Sequence, residues 1–359
     1  MALLRIENLS KRYDDFWAVR DVTLEIERGA FFGLLGPSGS GKTTTLRMIA
    51  GLDAPDSGKV IFNERDFTHL PPEKRDFGMV FQNYALFPHL NVFENVAFGL
   101  KARKLEPDKI KSKVAEALSL VKLDGFEKRN VDVLSGGQQQ RVAIARAIAI
   151  EPQLLLFDEP LSNLDIALRE ETRSELRELI KKLQLTALYV THDQDEAFAL
   201  CDQIAVMKNG QILQTGTPRE LYDAPESVAV ARFLGKNNLF KAARLTSSKA
   251  AAAEFQTLAG EHRLSVDKPE KENLAAINQI VTLAIRPENV VLPFGAAFPE
   301  DNLFKAKVVD IQYFGATTRI ILDANGLRIE TLVLRLVGLS IGDDCLVSLP
   351  PNRISVLKD

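Results

Sequence analysis

An α/β domain followed by a smaller all-β domain is the fold that this sequence predicts, and three features carry the prediction. From residue 1 to about 235, short apolar runs alternate with segments of helical period. Beyond about 240 the runs become β-branched and alternating, and no comparable helical pattern appears. Between an early apolar run and a helical one lies a glycine-rich loop, "GPSGSGKT" at 36–43. At 359 residues the chain exceeds the length at which a single core usually keeps growing. Two domains are therefore expected, 1–235 and 236–359.

The apolar runs come in order. "FFGLLG" (31–36) leads into the glycine loop and the helical "TTTLRMIAGL" (43–52). "KVIF" (59–62) and "FGMVFQ" (77–82) follow, then a helical insertion at about 83–150. Within it, Ile110, Val114, Leu118 and Val121 recur on one face of 108–123. "QLLLFD" (153–158), "ALYVTH" (187–192) and "QIAVMKNGQI" (203–212) complete the set, and the alternation argues for a largely parallel sheet. In the tail, 304–334 and 343–357 read as strands, with Asn325-Gly326 as a hairpin turn, which makes a small barrel or sandwich the expected fold. "KAAAAEF" (249–255) and "DKPEKEN" (267–273) read as surface connections.

A net charge of −3 provides no global basic excess to draw the chain to nucleic acid or anionic lipid. Cys201 and Cys345 fit no metal spacing and read as free thiols in a reducing cytosol. Arg5 and Glu7 interrupt the start before a signal peptide could form, and no stretch is apolar enough to span a bilayer. If the protein works at a membrane, other chains carry the membrane part.

Gly36, Gly41, Lys42 and Thr43 satisfy G-x4-G-K-[ST] in its required setting, strand before and helix after. The glycines let backbone wrap phosphates, Lys42 reaches the terminal ones, and Thr43 offers a hydroxyl to Mg²⁺. Kinases, GTPases, helicases and transport ATPases all share this device. In "LLLFDEP" a buried strand would deliver Asp158 and Glu159 to the carboxyl edge of the sheet, where ligands bind in open α/β folds. Asp158 suits the Mg²⁺ sphere and Glu159 the polarisation of an attacking water; the alternative is an ordinary strand end and turn. His192 closes "ALYVTH", where it is either structural or a donor to the terminal phosphate. Gln82 closes "FGMVFQ" as an exposed amide or as an oxygen ligand to Mg²⁺. A second glycine stretch, "LSGGQQQR" at 134–141, has the makings of another anion site, with free N–H groups at a helix start.

In this order, "GPSGSGKT", Gln82, "LSGGQQQR", "LLLFDEP", "SNLD" (162–165) and His192 resemble the ATP-binding subunits of ABC transporters over residues 3 to about 235. The resemblance implies ATP and Mg²⁺ as ligands. It makes Gly36, Pro37, Ser38, Gly39, Ser40, Gly41, Lys42, Thr43 and Thr44 the phosphate loop. Tyr13 becomes the aromatic that stacks on adenine, with Phe16 and Trp17 close by. Thr43, Gln82 and Asp158 become Mg²⁺ ligands, Glu159 the catalytic base, His192 the switch, and Lys42 a catalytic contact. Ser135, Gly136, Gly137 and Gln138 would cover the γ-phosphate held by a second copy of the chain, with Asp165 along the same interface. One cradle and one lid per chain fit a two-fold homodimer.

In the family, membrane-spanning permease subunits dock on the helical insertion. Phe87, Leu90, Val92, Phe93 and Val96 form either that groove or a local cluster. A periplasmic or lipoprotein solute-binding protein takes part indirectly. The expected location is the cytoplasmic face of the cell membrane. The tail, with "RPE" at 286–288, resembles the TOBE-type domain of importer ATPases. Segments 220–240 and 314–322 favour the polyamine, ferric iron and sulfate group, with spermidine or putrescine first. A soluble ABC ATPase acting on nucleic acid or ribosomes would show a long coiled coil or a basic excess, and neither is present. A non-enzymatic regulatory module would have lost Lys42 or Glu159, and both are there.

Overall fold

The computed structural model describes residues 2–245, 252–267, 276–293, 302–334 and 338–357. The chain divides into two compact units, Met1–Pro218 and Arg219–Asp359.

In the first unit the elements run β1 (Ala2–Tyr13), β2 (Phe16–Glu27), β3 (Phe31–Leu35), α1 (Lys42–Ala50), β4 (Ser57–Phe62), β5 (Arg65–Asp66) and β6 (Phe77–Val80). They continue as α2 (Val92–Ala102), α3 (Pro107–Leu120), α4 (Gly136–Ala149), β7 (Leu154–Asp158), α5 (Ile166–Leu183), β8 (Thr186–Thr191), α6 (Gln194–Leu200), β9 (Gln203–Lys208) and β10 (Gln211–Gly216). A six-stranded sheet, ordered β10-β9-β3-β8-β7-β6, is parallel except at β10. β3 and β8 are buried along their whole lengths, as is β7 up to Asp158. That is why they read as continuous apolar runs rather than as alternations. Their register sets Leu35 beside Thr191 and Val190 beside Asp158, so the chain leaves all three strands at one edge.

β1 and β2 were not among the expected strands, and "KVIF" does not join the parallel sheet. β1, β2, β4 and β5 form a separate antiparallel sheet in the order β2-β1-β4-β5. The signal was the alternation of buried Val22, Leu24 and Ile26 with exposed Thr23 and Glu25. One core unites the two sheets and α1, with Leu4, Ile6, Leu24, Leu34, Leu46 and Leu156 among its members. Arg75, 2% exposed, closes the far end of α1 by donating to the carbonyls of Met48 (2.9 Å) and Ile49 (2.7 Å), as a cation at a helix C-terminus should.

The helical insertion holds α2, α3 and α4. Capping boxes, Asn91 with Glu94 and Ser135 with Gln138, start α2 and α4. Val92 and Val96 are fully buried and belong to local packing, whereas Phe87, Leu90 and Phe93 stay half-buried.

The second unit contains α7 (Pro218–Asp223), α8 (Val228–Phe233), β11 (Asn238–Arg244), β12 (Ala252–Thr257), β13 (Arg263–Asp267) and β14 (Ile280–Ile285). β15 (Leu303–Tyr313), β16 (Thr318–Ala324), β17 (Leu327–Val333), β18 (Asp344–Ser348) and β19 (Ser355–Leu357) follow. Two antiparallel sheets, β13-β12-β11-β14-β19 and β17-β16-β15-β18, share a core that includes Phe240, Phe255, Leu283, Ile320 and Ile329. The Asn325-Gly326 turn joins β16 to β17 with φ of 51° and 88°, the doubly positive pair that a type I′ hairpin requires.

Two expectations change here. The units part after Pro218, not near 235, because Arg286 gathers the chain of α7 and α8 onto the β-rich unit. Its guanidinium, 4% exposed, donates to the carbonyls of Tyr222 (2.8 Å), Leu234 and Lys236 (3.4 Å) and stacks on the Tyr222 ring at 3.7 Å. Residues 252–255 of "KAAAAEF" are the start of β12, with Phe255 fully buried, and Asp267 ends β13. The remainders of those two segments, 249–251 and 268–273, lie outside the described residues. Among the described residues no helix is long and apolar enough to cross a membrane.

Candidate functional site

The glycine loop closes on itself at the carboxyl end of β3. A side chain at Gly36 would place a Cβ 2.2 Å from the Met207 carbonyl oxygen, and at Gly41 one 2.3 Å from that of Ala18. Gly41 also has φ of 98°, so only glycine fits both turns. Pro37, Ser38 and Gly39 face solvent, while Ser40 is buried and its carbonyl accepts from the N–H of Gly210 at 3.0 Å. α1 starts at Lys42 with no side-chain cap and no acid in its first turn, which leaves Thr43 and Thr44 at an uncompensated positive helix end.

Lys42 is 4% exposed and folds back into this ring. Its Nζ donates to the carbonyls of Gly36 (2.8 Å) and Pro37 (3.0 Å) and approaches Ser40 Oγ at 3.4 Å. Burial pulls its pKa down, against the pull of Glu159 and Asp158 in the other direction. The ammonium therefore sits desolvated among carbonyl oxygens, where phosphate oxygens would be stronger acceptors.

Asp158 ends β7, and its Oδ1 accepts from Thr43 Oγ1 at 3.0 Å. Burial raises its pKa; the Thr43 hydroxyl opposes that and neighbouring Glu159 adds to it. Glu159 adopts φ of 45°, unusual for a residue with a Cβ, and its N–H donates to the Val190 carbonyl at 3.0 Å. Its Oε2 lies 3.0 Å from His192 Nδ1. A carboxylate only accepts, so with Glu159 as acceptor Nδ1 is the donor of this pair, and the His192 side chain is half-exposed. Gln82 differs from expectation: β6 ends at Val80, and Gln82 is exposed in the following turn rather than closing the strand. Its carbonyl accepts from Asn163 Nδ2 at 2.8 Å, tying this turn to the "SNLD" segment.

No group of three His, Cys, Asp or Glu able to hold a metal occurs among the described residues. The paired oxygens of Asp158 and Thr43 are of the kind that a hard cation takes alongside phosphate oxygens and water.

The second glycine loop begins α4. Ser135 Oγ accepts from the Gln138 N–H (3.3 Å), and Gln138 Oε1 accepts from the Ser135 N–H (3.1 Å). A Cβ at Gly137 would meet Leu168 at 2.9 Å, and one at Gly136 would meet Leu164 at 3.5 Å, so this loop packs on the start of α5. There Asp165 caps α5 by accepting from the Leu168 N–H at 2.9 Å. Among the described residues no hydrogen bond or ion pair links 135–138 to 36–44. The fold thus brings the cradle, Asp158, Glu159 and His192 together and leaves the second loop with "SNLD". Tyr13, 47% exposed at the β1–β2 turn, has Lys11 Nζ 5.5 Å from its ring; Phe16 (62%) and Trp17 (40%) are exposed beside it.

Sequence reasoning passed over Thr191, Glu196, Arg169 and Asn163. Glu196 had a signal, because Asp193 and Glu196 stand at the spacing of a capping box.

The ABC transporter family matches residues 19–162, and the TOBE domain family matches residues 283–357. Over 99% of its length the chain is 41% identical to a spermidine/putrescine import ATP-binding protein, PotA of Acetivibrio thermocellus, of which it covers 96%. The chain belongs to the ABC transporter ATP-binding family. The PotA protein of Clostridioides difficile is 43% identical over 90% of this chain and 89% of its own. Among solved structures, the dimeric post-hydrolysis state of the ATP-binding cassette MJ0796 bound to ADP and Pi matches with a TM-score of 0.54 at 33% identity, over 60% of this chain and 99% of that one. The nucleotide-binding fold and the all-β TOBE domain expected of this ABC subunit are both present.

Proposed function

We propose that this ABC subunit hydrolyses ATP between two copies of itself and so drives uptake of a polyamine, spermidine or putrescine, through separate membrane-spanning subunits. The observation that carries the ATPase reading is the Glu159–His192 pair at 3.0 Å, standing beside the Asp158–Thr43 pair at the mouth of the glycine cradle. The cargo reading rests on near full-length identity to PotA proteins.

Lys42 exchanges its loop carbonyls for the terminal phosphates of ATP, and the N–H groups of 38–44 wrap the triphosphate. Thr43, Asp158 and Gln82 would hold Mg²⁺, which supplies neutralising charge to those phosphates when bound. Glu159 accepts the proton of the attacking water. His192, whose Nδ1–H donates to Glu159, holds that carboxylate in place and turns Nε2 toward the γ-phosphate. Tyr13 stacks on the adenine. Ser135, Gly136, Gly137, Gln138 and Asp165 close over the nucleotide of the other copy, which their separation from their own cradle and the dimeric cassette relative both support. Half-buried Phe87, Leu90 and Phe93 offer the permease subunits a docking surface at the cytoplasmic face of the membrane. A solute-binding protein delivers the polyamine, which never touches this chain.

Glu159→Gln keeps the shape and removes the base. It should lower turnover by about 10³-fold and yield an ATP-dependent dimer on sizing with light scattering. A monomer at saturating ATP with wild-type turnover would overturn the reading. Cells lacking the chain should lose uptake of labelled spermidine; undiminished uptake removes the cargo assignment.

A further inference from the structure

Arg169, on α5, lies between two segments that the reaction needs. On one side its Nη2 donates to the carbonyls of Leu164 (2.9 Å) and Ser162 (3.4 Å), in the "SNLD" turn that also carries Asp165. On the other side its Nη1 is 3.6 Å from Asp193 Oδ2 and its Nε 3.9 Å from Glu196 Oε1, both in the capping turn of α6, directly after His192.

Glu196 is 2% exposed and holds the backbone around His192. Its Oε2 accepts from Thr191 Oγ1 (2.7 Å) and Tyr189 Oη (2.9 Å), and Thr191 Oγ1 in turn accepts from the Asp193 N–H (3.0 Å). Residues on both sides of His192 are thereby fastened to one buried carboxylate. Asp193 has its Oδ1 committed to the N–H groups of Asp195 (2.8 Å) and Glu196 (3.2 Å), so only its Oδ2 faces Arg169.

The two sides of the guanidinium are not equally engaged. Its bonds to the "SNLD" carbonyls are formed, whereas both carboxylates stand beyond hydrogen-bond distance and the buried Nε has no acceptor. A buried donor left unpaired is costly, and a carboxyl acceptor less than one ångström too far away supplies a ready second position for it.

We propose that Arg169 is a positioning residue that couples the "SNLD" turn to the His192 loop: when the turn is pressed by a second copy, the guanidinium moves onto Glu196 and sets His192 against Glu159. The proposal rests on the two-copy reading above. It makes hydrolysis conditional on the turn being covered, since the loop that aligns His192 is tightened only through Arg169. Within a single chain Arg169 already holds the turn and stands within 4 Å of both carboxylates, so this weaker, resting tie can be tested apart from that reading.

The test uses the full chain as wild type, Arg169→Met, Arg169→Lys, Glu196→Gln and the Met/Gln double variant. Hydrogen exchange without nucleotide reports the chain alone. Arg169→Met should raise exchange in both 162–168 and 191–196, and Glu196→Gln should raise it in 162–168 as well as in its own loop. With ATP, kcat should fall about tenfold for Arg169→Met with KM changed less than twofold, Arg169→Lys should recover part of the loss, and the double variant should be no slower than the slower single one. Exchange changes confined to the segment that was altered, or kcat losses that multiply in the double variant, overturn the proposal. A wild-type chain that exchanges as expected but neither dimerises nor turns over would overturn the two-copy reading and leave the coupling standing.

Discussion

Lys42 in the first unit and Arg286 in the second are both cations exposed to only 4%, yet their surroundings differ in kind. Arg286 spends its guanidinium on the carbonyls of Tyr222, Leu234 and Lys236 and on the face of the Tyr222 ring, which ties two helices to a β-rich core. Asn238 behaves likewise, bonding Ile285 and both backbone groups of Glu330. In the first unit Lys42 donates to the carbonyls of its own loop, and among the described residues neither Asp158 nor Glu159 is bonded to a Lys or Arg. Completed bonding marks a structural charge. An incompletely matched set, buried at the carboxyl edge of a sheet, marks a place prepared for a ligand.

Exchanging the groups on either side of this contrast should produce effects of very different size and type. Lys42→Met should cut turnover by about 10³-fold, as loss of one preorganised phosphate contact does, while unfolding shifts by less than about 1 kcal/mol because its loop carbonyls can turn to water. A large loss of stability would place Lys42 with Arg286 as a structural charge. Arg286→Met should do the reverse. Stranding several buried carbonyls should destabilise the second unit by about 3 kcal/mol, read as an earlier calorimetric transition, with the ATP affinity of the chain retained.

A smaller effect separates fold from function at the second glycine loop. Ser135→Ala removes the α4 cap and should cost about 1 kcal/mol in chemical denaturation, with ATP binding to Lys42 and Thr43 retained. Equal loss of nucleotide binding would contradict the assignment of this loop to the other copy's site. The smallest effect concerns Asp158, whose folded pKa lies above its ordinary value of 3.8. Such a group favours the folded state when protonated, and that contribution is lost as pH rises through its folded pKa. Ionised Asp158 therefore destabilises the nucleotide-free chain at neutral pH. Asp158→Asn should raise the melting temperature there by about 2 °C, and the gain should fade as pH falls through the raised folded pKa toward the ordinary value of 3.8. A gain that stays constant on acidification would mean that ionisation of Asp158 is not its source.

Much of the site was legible in the sequence because its chemistry is local. Gly36, Gly41, Lys42 and Thr43 act at fixed offsets in one loop, and the buried runs before Asp158 and His192 announced both strand and strand end. Gln82 was misplaced because an apolar run does not say where pairing stops, and β6 stops at Val80. The limit at 235 was drawn on composition, whereas Arg286 reaches back more than sixty positions to Tyr222. β1 and β2 escaped because their alternation is interrupted by register shifts, as between Ile6 and Leu9.

By itself the sequence determined where the glycine cradle lies, that the tail is all-β, and to which family the chain belongs, since periodicity, turn residues and motif spacing are short-range properties. Tertiary structure alone decided that Glu159 pairs with His192, that "LSGG" stands with "SNLD" instead of with its own cradle, and that Arg169 bridges the "SNLD" turn and the His192 loop. Those relations depend on strand order and register in the sheet and on how α4, α5 and α6 pack around them, which long-range burial selects and no local pattern encodes.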